Sequence, residues 1–234
     1  MEKGVSKIRK NILVFAPHPD DETLGCGGTI AKKLSEGYEV VVVILTDGRH
    51  AFSKVLGITS NPTPEELKQI RKEEAMKALN VLGVPKLNML FLDFEDGSLE
   101  NRKEEAKGKI LEIIKKYQPT EVYYSHSKDH NPDHKVTNSI LKECIKIVEP
   151  APKSLQYSIM QKYAKIGPLL DKLISLFKKH IIEVDVSEFV HLKKKAIEQY
   201  KSQISIISKD QTKVILSEKR IKKYLGIKEF FYQQ

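Results

Sequence analysis

The chain has 234 residues, 40% hydrophobic and 30% charged; it can bury a substantial core and is neither a disordered nor a fibrous sequence. Its net charge of +9 raises nucleic acid as a partner, but the basic residues are mostly lysines interleaved with glutamates on predicted helices (Lys72, Glu73, Glu74, Lys77), the pattern of a solvated helix face. No specific nucleic-acid partner is therefore expected, although a basic surface favours anionic substrates.

The basic stretch from Met1 to Lys10 lacks the apolar core of a signal peptide, and no later apolar run approaches the roughly 18–20 residues of a membrane span. Cys26 and Cys144 lie too far apart for a C-x-x-C zinc or redox motif, and the expected location is the cytoplasm. Asn11 to Ala16 (NILVFA) and Glu39 to Leu45 (EVVVVIL) are apolar without alternation, which predicts parallel strands covered on both faces. Between them Leu24, Ile30, Ala31 and Leu34 recur at helical spacing within Thr23 to Glu36, and Gly37 stops the helix. A helix from Pro64 to Leu82 follows, entered by Thr63 as N-cap and closed by Gly83.

Next come a strand near Leu87 to Leu92, a helix from Glu100 to Tyr117, a strand from Glu121 to Ser125 and a helix from His134 to Val148. Leu155 to Met160 and Ile181 to Val186 read as added strands, Ser187 to Ile206 as one long helix, and Ser217 to Gln234 as a segment docked on the domain. The alternation predicts an α/β, Rossmann-like, mostly parallel sheet with helices on both faces and a C-terminal helical extension, in a single domain over residues 1–234. In such sheets ligands bind beyond the carboxyl ends of the strands.

Two of those strand ends carry dense polar clusters. Pro17-His18-Pro19-Asp20-Asp21-Glu22 follows the first strand, and His126, Asp129, His130, Asn131, Asp133 and His134 follow the strand ending at Ser125. Crowded like charges need a compensating cation, and His and Asp ligands with one open position are what catalytic zinc uses. Asp133 alone would also suit a helix N-cap. Gly25-Cys26-Gly27-Gly28 has neither the spacing of a dinucleotide fingerprint nor that of a phosphate loop, and reads as close backbone packing, with Cys26 buried.

PHPDDETLGCGG together with DHNPDH resembles the LmbE-like, or PIG-L, family of zinc-dependent N-acetylglucosamine deacetylases. The resemblance extends to Thr46-Asp47-Gly48, Arg71 to Glu74, Asp96-Gly97, Lys195-Ala196-Ile197 and Tyr200 to Gln203. It implies His18, Asp21 and His134 as ligands of a zinc ion, and Asp20 as general base toward the attacking water in hydrolysis of an acetyl amide. Position 131 is Asn where one common form of the motif has His, and asparagine cannot act as an acid. Asn131 is then left to hydrogen-bond the carbonyl oxygen, with protonated Asp20 or His130 delivering the proton to the amine. Asp133 reads as the residue that orients a ligand histidine.

The same resemblance implies Arg71 and Asp96 as contacts to sugar hydroxyls and Gln203 as a brace of the pocket. Arg71 equally suits a solvated helix arginine beside Glu74, and Asp96-Gly97 a plain turn. The expected partner is a small-molecule or glycolipid N-acetyl sugar, with a homo-oligomer open. A zinc amidase of a thiol-sugar conjugate is the alternative, and a noncatalytic nucleotide or nucleic-acid module the third reading.

Overall fold

The computed structural model describes residues 10–159 and 181–233. Residues 1–9 of the basic N-terminal stretch, Met160 at the expected end of the fifth strand, and Gln234 lie outside the described residues. The described strands are β1 (Asn11–Ala16), β2 (Glu39–Thr46), β3 (Met89–Phe94), β4 (Glu121–Ser125), β5 (Lys153–Tyr157), β6 (Ile181–Asp185) and β7 (Lys228–Gln233). The helices are α1 (Asp21–Ser35), α2 (Ala51–Leu56), α3 (Pro64–Val81), α4 (Lys103–Tyr117), α5 (Pro132–Lys146), α6 (Val190–Ile197), α7 (Lys201–Ile204) and α8 (Glu218–Tyr224).

The strands form one sheet in the order β3-β2-β1-β4-β5-β7-β6, parallel from β3 through β5, with β7 antiparallel to both its neighbours. β1 and β2 pair from Asn11 with Glu39 to Ala16 with Ile44. Their continuous apolar runs follow from burial on both faces. Ile12, Val14, Val40 and Val42 pack with Ile30 of α1 and Ala75 and Leu79 of α3, while Leu13, Phe15, Val41 and Val43 pack with Ile110 of α4 and Ile140 of α5. Each such fully buried chain contributes about 1.5–3 kcal/mol, so Ile140→Ala, which leaves a void, is expected to cost about 2–5 kcal/mol.

Local chemistry sets the helix ends. Thr63 and Glu66 close a reciprocal capping box, with Pro64 in the first turn of α3. Asn131 caps α5 by accepting from the Asp133 amide at 2.8 Å, and with Pro132 at the first turn the helix starts two residues before His134. β3 begins two residues later than expected because Lys86–Asn88 form a 3-10 turn that leaves Leu87 exposed. α1 breaks at Cys26, where φ is −146°. The amides freed by the break, those of Gly28 and Thr29, donate to the Glu229 carboxylate of β7 at 2.9 and 2.8 Å. A Cβ on Gly28 would lie 2.8 Å from Val186, so this close approach needs glycine.

The C-terminal part departs most from expectation. The long helix expected over Ser187 to Ile206 is instead a 3-10 turn followed by α6 and α7, with Tyr200 outside helical geometry at ψ 61°. The break places the Tyr200 hydroxyl on Glu22 and the Ser202 amide on Glu74, at 2.7 Å for the latter. The helical extension is present as α6 to α8, but the chain then runs into β7, inserted between β5 and β6. Its mixed sequence, KEFFYQ, buries Phe231 at the centre of an antiparallel pair. Among the described residues, no helix is long and apolar enough to cross a membrane.

Candidate metal centre and active site

β1 is flanked by β2 on one side and β4 on the other, so chain order reverses between β1 and β4. The loops leaving the carboxyl ends of these two strands open into the crevice at that switch point. The β1 loop brings His18, Asp20 and Asp21, and the β4 loop brings Asp129 and the start of α5, with Asp133 and His134.

Three side chains converge. His18 Nδ1 lies 3.1 Å from Asp21 Oδ2, His134 Nε2 lies 3.0 Å from the same oxygen, and the two nitrogens are 3.3 Å apart. All three residues are buried. A tetrahedral ion with bonds of about 2.0–2.1 Å has donors about 3.3 Å apart, so the spacing fits a zinc-sized divalent cation. The far nitrogen of each imidazole meets a buried carboxylate: His18 Nε2 lies 3.2 Å from Asp133 Oδ2, and His134 Nδ1 lies 3.1 Å from Asp129 Oδ2. Those contacts orient the rings so that Nδ1 of His18 and Nε2 of His134 face Asp21 Oδ2, as donors of a candidate metal site.

A second donor group, His18, Asp96 and Asp133, sits on the other edge of the His18 ring. Its charges are already compensated. Lys54 Nζ lies 2.8 Å from Asp96 Oδ1, the His50 amide donates to Asp96 Oδ2 at 3.1 Å, and the Gly97 amide donates to Asp133 Oδ2 at 2.7 Å. In the first group Asp21 Oδ2 accepts from the His18 amide at 3.0 Å but meets no lysine or arginine among the described residues, and its three donors converge on one point, which makes it the candidate metal centre.

Electrostatics agree with that assignment. Burial opposes charge on His18, but Asp133, Asp21 and Asp96 overcome it and push its pKa up to about 10. For His134 burial is likewise outweighed, by Asp21 and Asp129, to about 9. Burial works against ionised Asp21 too, yet the two imidazoles hold its carboxyl well below the ordinary range. Two imidazoliums thus balance the carboxylates in the metal-free fold, and a divalent cation can take their place.

Asp20 adopts φ 115°, in the left-handed region that costs a non-glycine residue about 1–3 kcal/mol. The surroundings hold it there. Its amide donates to Glu22 Oε2 at 3.2 Å, and the fully buried Glu22 carboxylate also accepts from Thr23 Oγ1 at 2.7 Å and from the Tyr200 hydroxyl. Burial pushes the Asp20 carboxyl up to about 7, against the pull of Arg71.

Arg71 is buried rather than solvated. It donates to the carbonyls of Gly48, at 3.0 Å, and Pro19, and its Nη2 lies 3.3 Å from Asp20 Oδ2. Gly48 has φ 66°, and a Cβ there would strike the guanidinium at 2.1 Å. Glu74, the neighbour that would have paired a solvated Arg71, instead accepts from the Ser202 amide and hydroxyl.

A cavity of about 320 Å³ opens over these groups, lined by His18, Asp20, Asp21, Arg71, Asp96, Asn131, His134 and Gln203 among others. Of the residues singled out in the sequence, Asp133 stands behind His18, and His130 is exposed and outside the cavity wall. Gln203 is buried and donates to Ser202 Oγ at 2.8 Å. Sequence reasoning assigned no role to Asp129, Lys54, Tyr200 or Arg220. Asp129 lay inside the flagged second cluster; nothing in the sequence marked Arg220.

Comparison with known proteins adds the lineage. The chain is 28% identical to the diacetylchitobiose deacetylase of Thermococcus kodakarensis over 200 residues, covering 83% of this chain and 70% of that protein. It is 27% identical over 208 residues to a probable N-acetyl-alpha-D-glucosaminyl L-malate deacetylase 2 of Bacillus anthracis, covering 85% and 84%. The fold matches that of N,N'-diacetylchitobiose deacetylase from Pyrococcus horikoshii with a TM-score of 0.72 at 24% identity, over 96% of this chain and 84% of that one. Residues 13–145, more than half of the chain, match the PIG-L family, described as GlcNAc-PI de-N-acetylase. The site at the ends of β1 and β4 is thus set in a fold of known lineage, and the chain belongs to the PIG-L family.

Proposed function

We propose that this protein is a zinc-dependent N-deacetylase that hydrolyses the acetamide of an N-acetylglucosamine-type sugar. The observation that carries the reading is the convergence of His18 Nδ1, Asp21 Oδ2 and His134 Nε2 within 3.0–3.3 Å of one another, with the carboxylate of Asp20 in the same cavity. His18, Asp21 and His134 hold the ion; when bound, it polarises the acetyl carbonyl and acidifies a water.

The remaining steps belong to the chain's own side chains. Asp20 takes the proton from the attacking water, its position held through Glu22 and Arg71. Asn131 spends its Oδ1 on the α5 cap, which leaves Nδ2 to donate to the carbonyl oxygen as charge develops there. The departing amine needs a proton, and of the two donors the sequence suggested, only Asp20 lines the cavity. Asp20 therefore serves in turn as base and acid, consistent with a chain that lacks a histidine at position 131. Asp133 and Asp129 orient the two ligand imidazoles. Arg71 acts mainly by fixing the Pro19 and Gly48 loops, and Asp96 and Gln203 face the sugar from the cavity wall.

The test is acetate release by purified protein from a panel of N-acetylglucosamine compounds, before chelation, after it, and after zinc is restored. Release that vanishes with the metal and returns with zinc is the expected result; no release from any sugar by the zinc-loaded protein overturns the reading.

A further inference from the structure

α5 carries His134 in its first turn and packs on the sheet through Val136, Ile140, Leu141 and Cys144. Apolar packing is not directional. It holds the helix against the sheet without fixing how far the helix slides or turns, whereas a metal site tolerates donor displacements of only about 0.2 Å. A directional contact is needed to set the place of His134.

Three buried polar side chains stand in that interface: Ser125 at the end of β4, Gln156 on β5, and Asn138, one helical turn beyond His134. Ser125 Oγ donates to the His134 carbonyl at 2.9 Å. Asn138 Nδ2 donates back to the Ser125 carbonyl at 2.8 Å and to Gln156 Oε1 at 2.9 Å. Strand and helix thus each donate to the other. The loop closed between them carries Asp129, whose carboxylate meets His134 Nδ1. Burial of polar groups opposes folding unless they are paired, and a paired network fixes a geometry that apolar contacts leave open.

We infer that Ser125 and Asn138 are positioning residues of the metal centre, which clamp the first turn of α5 to the end of β4 and so hold His134 where it meets Asp21 and His18. The inference rests on the proposed function for the identity of the metal. It adds two residues that touch neither the ion nor the cavity wall.

The test measures zinc affinity by competition with a chelator, and unfolding of the metal-free protein in denaturant. The proteins are wild type, Ser125→Ala, Asn138→Leu, the double variant, Ser125→Thr and Thr137→Val. The zinc Kd is expected to rise about tenfold in Ser125→Ala and in Asn138→Leu, the scale of a contact that orients a ligand. Because the two residues form one clamp, the double variant binds zinc little more weakly than either single variant. Ser125→Thr keeps the hydroxyl and with it the wild-type affinity. Thr137→Val removes a buried hydroxyl of the same helix that meets no hydrogen-bond partner among the described residues, and leaves Kd unchanged.

Zinc affinity is read on folded protein, so contacts that serve stability alone lower the unfolding midpoint and leave Kd unchanged in Ser125→Ala and Asn138→Leu. That result overturns the inference, as does an equal loss in Thr137→Val. If Asn138→Leu does not fold, Ser125→Ala and its threonine rescue decide alone. Acetate release is scored separately: the expected order of zinc affinities without any release keeps the clamp and removes the deacetylase, and release with unchanged Kd in the variants does the reverse.

Discussion

The parallel part of the sheet, β3 through β5, and the C-terminal part, β6, β7 and α6 to α8, contribute to one site in different ways. The parallel part supplies every candidate metal ligand and the carboxylates behind them, all from loops at the ends of β1 and β4. The C-terminal part reaches the same site from behind: Tyr200 on Glu22, Ser202 on Glu74, and the buried Lys193–Glu229 pair, 2.6 Å apart, on the broken middle of α1. The chemistry is thus concentrated in one region and its geometry is held by another. Mutations can pull these contributions apart.

The largest effects belong to the parallel part. His134→Ala is expected to lower metal affinity more than about 100-fold and to abolish turnover, read by metal content after dialysis and by acetate release. Asp20→Asn is expected to keep the metal yet lose about 10²–10⁴ in kcat, because it removes a proton carrier and no ligand. Equal metal loss in both variants would break the division of roles. One step smaller, Asp129→Asn is expected to weaken metal binding about 10–100-fold, because it disturbs the orientation of His134, while an amide oxygen can still accept from the Ser158 hydroxyl that Asp129 holds at 2.7 Å.

The C-terminal part should respond differently. Lys193→Met strands the Glu229 carboxylate in the interior and is expected to cost about 3–5 kcal/mol in denaturant unfolding. Surviving folded protein should bind metal normally. Loss of metal at unchanged stability would show that this region shapes the ligands directly rather than through the fold.

Acidity provides a gentler probe. With His18 raised to about 10 and His134 to about 9, by carboxylates that outweigh burial, both imidazoles are protonated at pH 7 in the metal-free chain. Cation binding must expel those protons, so affinity should climb with pH up to about 9 to 10, and calorimetry in buffers of different ionisation enthalpy should record proton release. The same raised values stabilise the metal-free fold fully below the ordinary histidine value of 6.5, and this contribution fades as pH rises through 9 to 10.

The two regions also differed in how far the sequence revealed them. β1, β2 and β4 are short apolar runs with turns at their ends, and their polar loops stand out because buried structure rarely tolerates such density of His and Asp. That His18, Asp21 and His134 are the members of those loops that converge was implied by the resemblance to the PIG-L family, since alternating elements do not fix the strand order that sets β1 beside β4.

The C-terminal part carried weaker signals. The break at Tyr200 reflects a tertiary bond to Glu22, 178 residues away in the chain, and no local pattern encodes it. The sequence of β7 alternates too imperfectly to distinguish an inserted strand from a docking helix. Arg71 read equally as a sugar contact and as a solvated helix arginine, because a helix face cannot show, from sequence, that the Pro19 and Gly48 carbonyls await it.

The central claim is that His18, Asp21 and His134 hold a divalent cation at the β1–β4 switch point. Anomalous diffraction at the zinc edge from crystals of the reconstituted protein tests it most directly. The account predicts one peak bounded by His18 Nδ1, Asp21 Oδ2 and His134 Nε2. A peak instead between His18 Nε2, Asp96 and Asp133, or no peak at either group, would contradict it.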